Sequence, residues 1–200
     1  MLKRLLLLIC LIPGLAFAEQ FVAGKDYQVL TTAESKPKQG LVMEFFSFGC
    51  PWCYKIHEQV HQWELKQGDK VRLERIPVVF NPNWLVYAQT YYVVNALSLN
   101  YKLDDEIYKA IHKDKAKLNT PESMQAFLIK HGMNAEMVKS ALTNSPSIEL
   151  KVKHGTELMQ QLQVSAVPAF VVNNHYKTDL EMAKSPERLF KILDYLLALK

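Results

Sequence analysis

The sequence has 200 residues, with 24 Lys and Arg against 20 Asp and Glu, which gives a formal net charge of +4. The basic and acidic residues are interspersed, and no run of Lys and Arg interleaved with aromatic residues predicts a nucleic-acid surface. A chain of this length is sufficient for one domain with its own hydrophobic core, or for one domain that carries an insertion.

The N-terminus has the three parts of a secretory signal. Lys3 and Arg4 form the basic region, residues 5–15 form an apolar run, and residues 16–18 (Ala-Phe-Ala) form a small-x-small cleavage site. The apolar run is about 11 residues long, whereas a helix that spans a bilayer needs roughly 20, so a permanent membrane anchor is the weaker alternative. We therefore expect residues 1–18 to be removed and the mature protein not to span a membrane.

The sequence contains three cysteines, Cys10, Cys50 and Cys53. Cys10 lies in the signal and should leave with it, so Cys50 and Cys53 are the pair that remains to form a disulfide. An exported chain of roughly 180 residues can bury enough apolar surface to fold without a covalent staple. A purely structural role for the disulfide is therefore poorly supported.

The segment around the cysteine pair has the pattern of a strand, a turn and a helix. Residues 41–48 are apolar and aromatic without clean alternation, which predicts a strand buried on both faces. Ile56, Val60 and Trp63 are spaced i, i+4, i+7, which predicts a helix that Gly68 ends. These elements place the cysteines at the N-terminus of the helix.

The rest of the chain predicts an α/β sheet domain with a helical insertion. Residues 71–80 predict a second strand, in which Pro77 indicates an edge position or a bulge. Helical patterns continue to about residue 163, and then come a strand at 167–173, a short returning strand and a final helix that begins at Ser185-Pro186. The predicted divisions are the signal at 1–18, a first part of the sheet domain at 19–80, the helical insertion at 81–163, and a second part of the sheet domain at 164–200.

The position of Cys50 favours its thiolate. A thiol at a helix N-terminus faces unpaired backbone N–H groups and the positive end of the helix dipole, and Pro51 at the first helical position loses no hydrogen bond there. Cys53 lies on the side of the helix that faces the core and should be the shielded, resolving partner. When the pair is oxidised, a substrate thiolate attacks Cys50, and a second substrate thiolate then displaces Cys50. The dithiol is itself the redox centre, so we expect no cofactor.

The histidines offer a metal-binding alternative. Cys50, Cys53, His57 and His61 form a common zinc ligand set, but the two ends of a helix over 50–61 lie about 16 Å apart, too far to share one ion. We therefore expect no metal site. The remaining histidines are expected at the solvated surface; they are His112, His131, His154 and His175.

Two stretches, EFFSFGCPWCY at 44–54 and AVPAFVVN at 166–173, resemble the DsbA-type thiol-disulfide oxidoreductases. These are proteins with a thioredoxin fold and an inserted helical domain, and the predicted order of elements is similar over the mature chain. The resemblance implies that the first cysteine is the nucleophile and the second is buried. It also implies that Pro168 follows a cis peptide bond beside the disulfide and that Val167 offers backbone hydrogen bonds to a bound peptide.

Glu44 has two interpretations, because it interrupts an apolar strand that leads to the cysteines. A carboxylate there is costly unless it is paired or protonated, and a strand-end residue that reaches solvent would avoid the cost. The resemblance implies instead a buried acid under the disulfide that helps to move the proton of Cys53. Arg75 then stands where relatives often have a lysine partner for that acid.

Two positions depart from the family pattern. Trp52 stands where many DsbA proteins have a histidine, whose positive charge and hydrogen bonding favour the thiolate of Cys50. Tryptophan has no charge, so we expect a less depressed pKa of Cys50 and a weaker oxidant. Pro77 stands where relatives have a second histidine near the active site, so that support is absent as well.

Three classes of function are compatible with these residues. The favoured one is a periplasmic enzyme that donates its disulfide to newly exported, unfolded proteins and is reoxidised by a DsbB-like membrane protein. The second is a disulfide isomerase or reductase that uses the same cysteines. The third is a peptide-binding, chaperone-like module in which the redox chemistry is secondary.

Overall fold

The computed structural model describes residues 20–31, 39–96 and 100–199. The predicted signal at 1–18 lies outside the described residues. Within these ranges, none of the helices is both long enough and apolar enough to cross a membrane.

The described part of the chain contains one mixed sheet of five strands. They are β1 (Gln28–Val29), β2 (Leu41–Phe46), β3 (Arg72–Pro77), β4 (Ala169–Val172) and β5 (Tyr176–Asp179), in the spatial order β1-β5-β4-β2-β3. β2 and β3 are parallel, and all other neighbours are antiparallel. Every residue of β2 is buried, which confirms the prediction of a strand covered on both faces.

β3 is an edge strand, as its proline indicates. Among the described residues it pairs with β2 alone, and Pro77 is its last residue, opposite Phe46. Because proline has no N–H to donate, it is tolerated at an edge. The strand is shorter than the predicted 71–80, and one further hydrogen bond, from Val78 N–H to Phe46 O at 2.8 Å, leads the chain toward the helices.

Eight helices complete the described fold. They are α1 (Pro51–Gln67), α2 (Leu85–Ala96), α3 (Asn100–His112), α4 (Pro121–Lys130), α5 (Ala135–Thr143), α6 (Pro146–Gln161), α7 (Leu180–Ala183) and α8 (Pro186–Ala198). Five of them, α2 to α6, lie between β3 and β4. Proline occupies the first helical position of α4, where Thr120 caps the helix by accepting a hydrogen bond from the Ser123 N–H at 3.2 Å.

Three groups of buried side chains hold these elements together. One face of the sheet packs on α1 and α8, through side chains such as Val42, Ile56 and Leu193. The other face packs on the end of α6, through side chains such as Phe45 and Leu162. The third group lies mainly among helices α2 to α6, which we call the helical segment, and it also includes Cys50 and Cys53. The cysteine pair therefore lies where the end of the sheet meets the core of the helical segment.

Candidate active site

The first cysteine of the motif caps the helix that follows it. α1 begins at Pro51, and Cys50 is its N-cap residue, with an extended backbone (φ −88°, ψ 118°). Its Sγ accepts a hydrogen bond from the Cys53 N–H at 3.3 Å. The sulfur thus occupies the position of the capping oxygen in a Ser or Asp cap, where the N–H groups of the first turn need an acceptor.

The turn before Cys50 is fixed by hydrogen bonds and by close packing. The Cys50 N–H donates to Ser47 O at 3.0 Å, and the Gly49 N–H donates to Ser47 Oγ at 3.1 Å. A Cβ on Gly49 would lie 2.5 Å from Nε1 of Trp84. The indole can therefore pack against the turn only because the residue there is glycine.

The two thiols have opposite acid-base properties. Both cysteines are free thiols, and both are covered, with 4% of Cys50 and 1% of Cys53 exposed. The hydrogen bond with the Cys53 thiol, with help from the backbone N–H groups of Cys53 and Trp52, lowers the pKa of Cys50 from 9.0 to about 7 against the effect of burial. Burial, and then the interaction with Cys50, raises the pKa of Cys53 well above its ordinary value. At neutral pH the thiolate therefore forms on Cys50.

The segment before β4 lies against the reactive sulfur. The peptide bond between Val167 and Pro168 is cis, as the resemblance implies. The Cys50 thiol donates a hydrogen bond to the Val167 carbonyl oxygen, with 3.4 Å between Sγ and O. The antiparallel pairing of β2 with β4 brings these distant parts of the chain together, so the Val167 backbone forms one wall of the site.

A groove opens beside the cysteine pair. It has a volume of about 450 Å³, and its walls include Trp52 and Lys55 of α1, the Val167–Pro168 segment and Leu180. The Trp52 side chain is exposed, and the Lys55 Nζ lies 4.7 Å from the centroid of its ring. The indole therefore offers an apolar surface at the mouth of the groove, with a cation held over its face.

Glu44 is buried rather than solvated. Its side chain is 1% exposed, and its Oε2 accepts a hydrogen bond from Arg75 Nε at 2.7 Å, because the parallel register of β2 and β3 sets the two residues side by side. The interpretation of Glu44 as a strand-end residue that reaches solvent is therefore wrong. After burial and the interaction with Cys50, the charge of Glu44 also contributes to the raised pKa of Cys53.

Two further side chains contact Arg75, and neither contact was predicted from the sequence. Asp104 of α3 accepts a hydrogen bond from Arg75 Nη1 at 2.7 Å, and His57 Nδ1 lies 3.5 Å from Arg75 Nη2. Burial raises the pKa of Asp104 to about 6, whereas burial and the Arg75 charge lower the pKa of His57 to about 3. The available signal for Asp104 was its helical spacing, since it precedes the fully buried Ile107 and Tyr108 by three and four residues.

One of the histidines expected at the surface supports the site instead. The Nε2 of His112 lies 2.7 Å from Phe48 O, in the turn before the cysteines, and its ring stacks on Tyr54 at 5.2 Å between centroids. Burial lowers the pKa of His112, so the neutral ring donates to the carbonyl. The surface prediction was wrong for His112 because its helix turns this face toward the redox motif. Of the others, His131 and His154 are exposed and His175 is partly exposed.

Metal ligands do not converge in the described part of the chain. Among residues 20–31, 39–96 and 100–199, no three His, Cys, Asp or Glu side chains are grouped closely enough to hold one ion. His57, which belonged to the alternative zinc set, lies beside the Arg75 guanidinium.

Comparison with known proteins gives a consistent result. Residues 71–196 match the family model described as a DSBA-like thioredoxin domain. The chain is 33% identical over 201 residues to the thiol:disulfide interchange protein DsbA of Burkholderia cepacia, and the match covers 98% of this chain and 94% of that protein. The protein of the same name from Pseudomonas aeruginosa is 33% identical over 184 residues, with 91% and 87% covered.

Solved structures give the same result. The crystal structure of Pseudomonas aeruginosa DsbA matches with a TM-score of 0.82 and 33% identity, over 88% of this chain and 93% of that chain. A DsbA of Proteus mirabilis in complex with a non-covalently bound peptide matches with a TM-score of 0.74 and 24% identity, over 89% and 97%.

Proposed function

The chain belongs to the family of DsbA-like thioredoxin-domain proteins, and we propose which of its residues carry out the thiol-disulfide exchange. It is a protein thiol-disulfide oxidoreductase that oxidises exported proteins. Cys50 is the catalytic nucleophile of this proposal, and Cys53 is the resolving cysteine. The observation that carries the assignment is the capping position of Cys50, whose Sγ accepts a hydrogen bond from the Cys53 N–H at 3.3 Å, while Cys53 is 1% exposed. The lowered pKa of Cys50 and the raised pKa of Cys53 agree with it.

The proposed reaction passes through a mixed disulfide. A substrate thiolate attacks Cys50 Sγ, the bond between Cys50 and Cys53 breaks, and the electron pair leaves on Cys53, which takes up a proton. A second substrate thiolate attacks the substrate sulfur of the mixed disulfide and releases Cys50 as a thiolate. The substrate loses two electrons and the cysteine pair gains them, so the exchange is balanced without a further cofactor. The low pKa of Cys50 favours this direction because it makes Cys50 the better leaving group.

Glu44 and Arg75 have a supporting role in this proposal. Cys53 is covered by protein, so its proton has to come from a neighbouring group or through one. Glu44 is the carboxyl whose charge acts on Cys53, and its ion pair with Arg75 keeps it in place at 2.7 Å. Pro51 contributes by starting α1 directly after the reactive sulfur.

We propose that reduced, unfolded segments of exported proteins bind in the groove beside Trp52. The Val167 carbonyl lies next to the Cys50 sulfur, so an extended peptide could pair with the backbone of the Val167–Pro168 segment while its cysteine attacks. A DsbA of Proteus mirabilis with this fold holds a non-covalently bound peptide, which supports a peptide as the occupant. The exposed indole would then contact apolar residues on either side of the substrate cysteine.

The remaining assignments concern compartment, partner and domain division. A basic region, an apolar run and a small-x-small site at 1–18 support export to the periplasm.

An oxidase that gives away its disulfide must be reoxidised, which supports a DsbB-like membrane protein as the partner. The five helices between β3 and β4 support a thioredoxin-like domain formed by 19–80 and 164–200 with a helical domain at 81–163 inserted into it.

The first experiment is to measure the equilibrium reduction potential of the cysteine pair in glutathione buffers, followed through tryptophan fluorescence. We expect a pair clearly more oxidising than glutathione. A potential near that of thioredoxin would contradict the oxidase direction and favour the reductase or isomerase alternative.

A matched pair of variants tests the roles of the two cysteines. Both Cys50→Ser and Cys53→Ser should lose oxidation of a reduced dithiol peptide. Cys53→Ser should still form a lasting mixed disulfide with an oxidised peptide, whereas Cys50→Ser should not. The assignment fails if the two variants behave in the opposite way. If Cys50→Ser keeps the whole effect of the wild type on the folding of an unfolded protein, a peptide-binding module is favoured.

A further inference from the structure

Two buried carboxylates share one guanidinium between the sheet and the helical segment. Arg75 Nε binds Glu44 Oε2, and Arg75 Nη1 binds Asp104 Oδ2, both at 2.7 Å. The carboxylate side chains are each 1% exposed, and that of Arg75 is 13% exposed. The guanidinium also lies over the ring of Phe46, with Cζ 4.4 Å from the centroid. The cation therefore has a fixed position with respect to both acids.

The charges of this cluster do not cancel when both carboxyls are ionised. One cation then faces two anions, and the neighbouring His57 adds no charge at neutral pH because burial and Arg75 lower its pKa to about 3. The Oδ1 of Asp104 is buried and accepts no hydrogen bond from the described residues. Burial accordingly raises the pKa of Asp104 to about 6. Ionised Asp104 thus adds a negative charge that the cluster only partly compensates.

The two carboxylates face different surroundings. Glu44 comes from β2, and its charge acts on Cys53. Asp104 comes from α3 and lies in the wall of a second cavity of about 460 Å³, which Arg75 also lines. Burial keeps the tyrosines of α2 and α3 that face the cluster protonated far above neutral pH. The other titratable side chains around the cluster and the cavity are His57, His61, Glu64, Glu74 and His154.

We propose that Asp104 is a positioning residue of the redox centre. Asp104 binds the second side of the Arg75 guanidinium, and it thereby limits how firmly Arg75 holds Glu44 as a carboxylate. This inference rests on the proposed role of Glu44 in moving the proton of Cys53. A carboxyl that has a cation to itself is held in its ionised form, whereas a second anion on the same cation weakens that hold. Asp104 thereby keeps Glu44 able to take up and release a proton.

The proton transfer can be written for each half of the cycle. When a substrate thiolate attacks Cys50, the electron pair of the disulfide leaves on Cys53, and the acid form of Glu44 gives its proton to that sulfur. When the dithiol is reoxidised, Cys53 returns the proton to Glu44 and its thiolate attacks the disulfide bond formed between Cys50 and the oxidant. The helical segment thus contributes Asp104 to the redox centre without touching the substrate.

A structural role for Asp104 would have different consequences. If Asp104 only anchors α3 to β3, its removal changes the stability of the fold but leaves the pH dependence of the chemistry unchanged. If Asp104 tunes Glu44, its removal changes the pH dependence even in a variant that is fully folded. The pH profile therefore separates the two roles.

The test is stopped-flow reduction of the oxidised full-length mature protein by dithiothreitol, from about pH 4.5 to about pH 8. Asp104→Asn keeps the shape of the side chain and removes its charge. Asp105→Asn is the matched control, because it makes the same change at the next position of α3, where the side chain is exposed. Dividing each variant's rate by the wild-type rate removes the ionisation of dithiothreitol from the comparison.

We expect the rate ratio of Asp104→Asn to be near one at the acid end and to fall to about one third or lower near neutral pH, because Arg75 then binds Glu44 without a competing carboxylate. The ratio for Asp105→Asn should stay near one, and Asp104→Glu, which restores the charge, should recover most of the rate. A ratio for Asp104→Asn that does not change with pH would overturn the proposal.

Two measurements separate this failure from a failure of the proposed function. If the wild-type protein oxidises a dithiol peptide but the rate ratio of Asp104→Asn does not change with pH, the role of Asp104 alone is refuted. If Glu44→Gln also reacts like wild type at every pH, the role of Glu44 itself is refuted. Circular dichroism spectra of the variants establish that each is folded.

Discussion

The cysteine pair separates two regions with different chemistry. On one side lie the groove, the exposed Trp52 and the Val167–Pro168 segment, where the surroundings are apolar and open to solvent. On the other side lie Glu44 and Arg75 with Asp104, which are charged and covered by protein. The open region can receive a peptide, and the buried region can exchange a proton.

This difference explains how two neighbouring cysteines acquire separate roles. Their exposed fractions, 4% and 1%, hardly differ. Cys50 instead accepts the hydrogen bonds that lower its pKa, whereas Cys53 is buried deeply enough for its pKa to rise. Hydrogen bonds that stabilise the Cys50 thiolate, and burial that disfavours a thiolate on Cys53, therefore assign the nucleophile.

The strongest test of the buried region is Arg75→Met, which leaves two carboxylates without their cation. We expect the free energy of unfolding at neutral pH to fall by about 3–5 kcal/mol, since removing one partner of a buried ion pair leaves uncompensated charge. Urea denaturation of the reduced protein measures this loss. The reactivity of Cys53 should change as well, because Glu44 loses its partner.

The control for this substitution lies on the same strand. Arg72 forms an ion pair with Glu74 at 2.8 Å, but both side chains are largely exposed, so Arg72→Met should change stability by no more than about 1 kcal/mol. If the two variants lose equal stability, the Arg75 cluster does not contribute in the way its burial indicates. An unchanged reactivity of Cys53 in Arg75→Met would count against the coupling of the cluster to the redox pair.

Much of the fold could be predicted because its main elements have strong periodic patterns. The buried strand at β2, the helix that Gly68 ends and the helix that begins at Pro186 all appear where the sequence placed them. β1 and α7 were missed, since two and four residues are too few to show a period. The predicted strand ends extended too far because an apolar pattern continues where the pairing stops.

The candidate site was predictable where its residues are local and less so where they are distant. Cys50 and Cys53 are three residues apart, and one helix sets their geometry. Asp104 and His112 reach the site only through the packing of α3 against α1, and neither has a motif of its own. Their amphipathic helix is compatible with many orientations, so the sequence alone does not show which polar side chains turn inward.

A substitution in the open region tests the effect of Trp52. Trp52→His should lower the pKa of Cys50 below its value of about 7, because a protonated imidazole beside the sulfur stabilises the thiolate. Each tenfold change in the equilibrium between thiol and thiolate corresponds to about 1.4 kcal/mol. Thiolate absorbance titrated against pH measures the change, with Trp52→Phe as a control that keeps an uncharged aromatic ring. The interpretation of Trp52 as a weakening departure fails if Trp52→His brings no downward shift.

The smallest expected effect concerns His112, which connects α3 to the turn before Cys50. His112→Phe keeps a ring for stacking on Tyr54 and removes the hydrogen bond to the Phe48 carbonyl, so it should cost about 0.5–1.5 kcal/mol above pH 7. Because burial lowers the pKa of His112 in the folded state, the unfolded chain binds this proton first as the pH falls below about 6.5.

The contribution of His112 to stability is therefore complete above about pH 6.5 and is lost as the pH falls toward its folded-state pKa. We expect the stability difference between wild type and His112→Phe to shrink between about pH 7.5 and about pH 5, as urea denaturation at the two values would show. His154→Phe, which changes an exposed histidine of α6, is the control for replacing a histidine by phenylalanine away from this turn. A constant difference for His112→Phe would mean that the ring titrates alike in both states, and that the turn before the nucleophile is not held by a partly buried, neutral histidine.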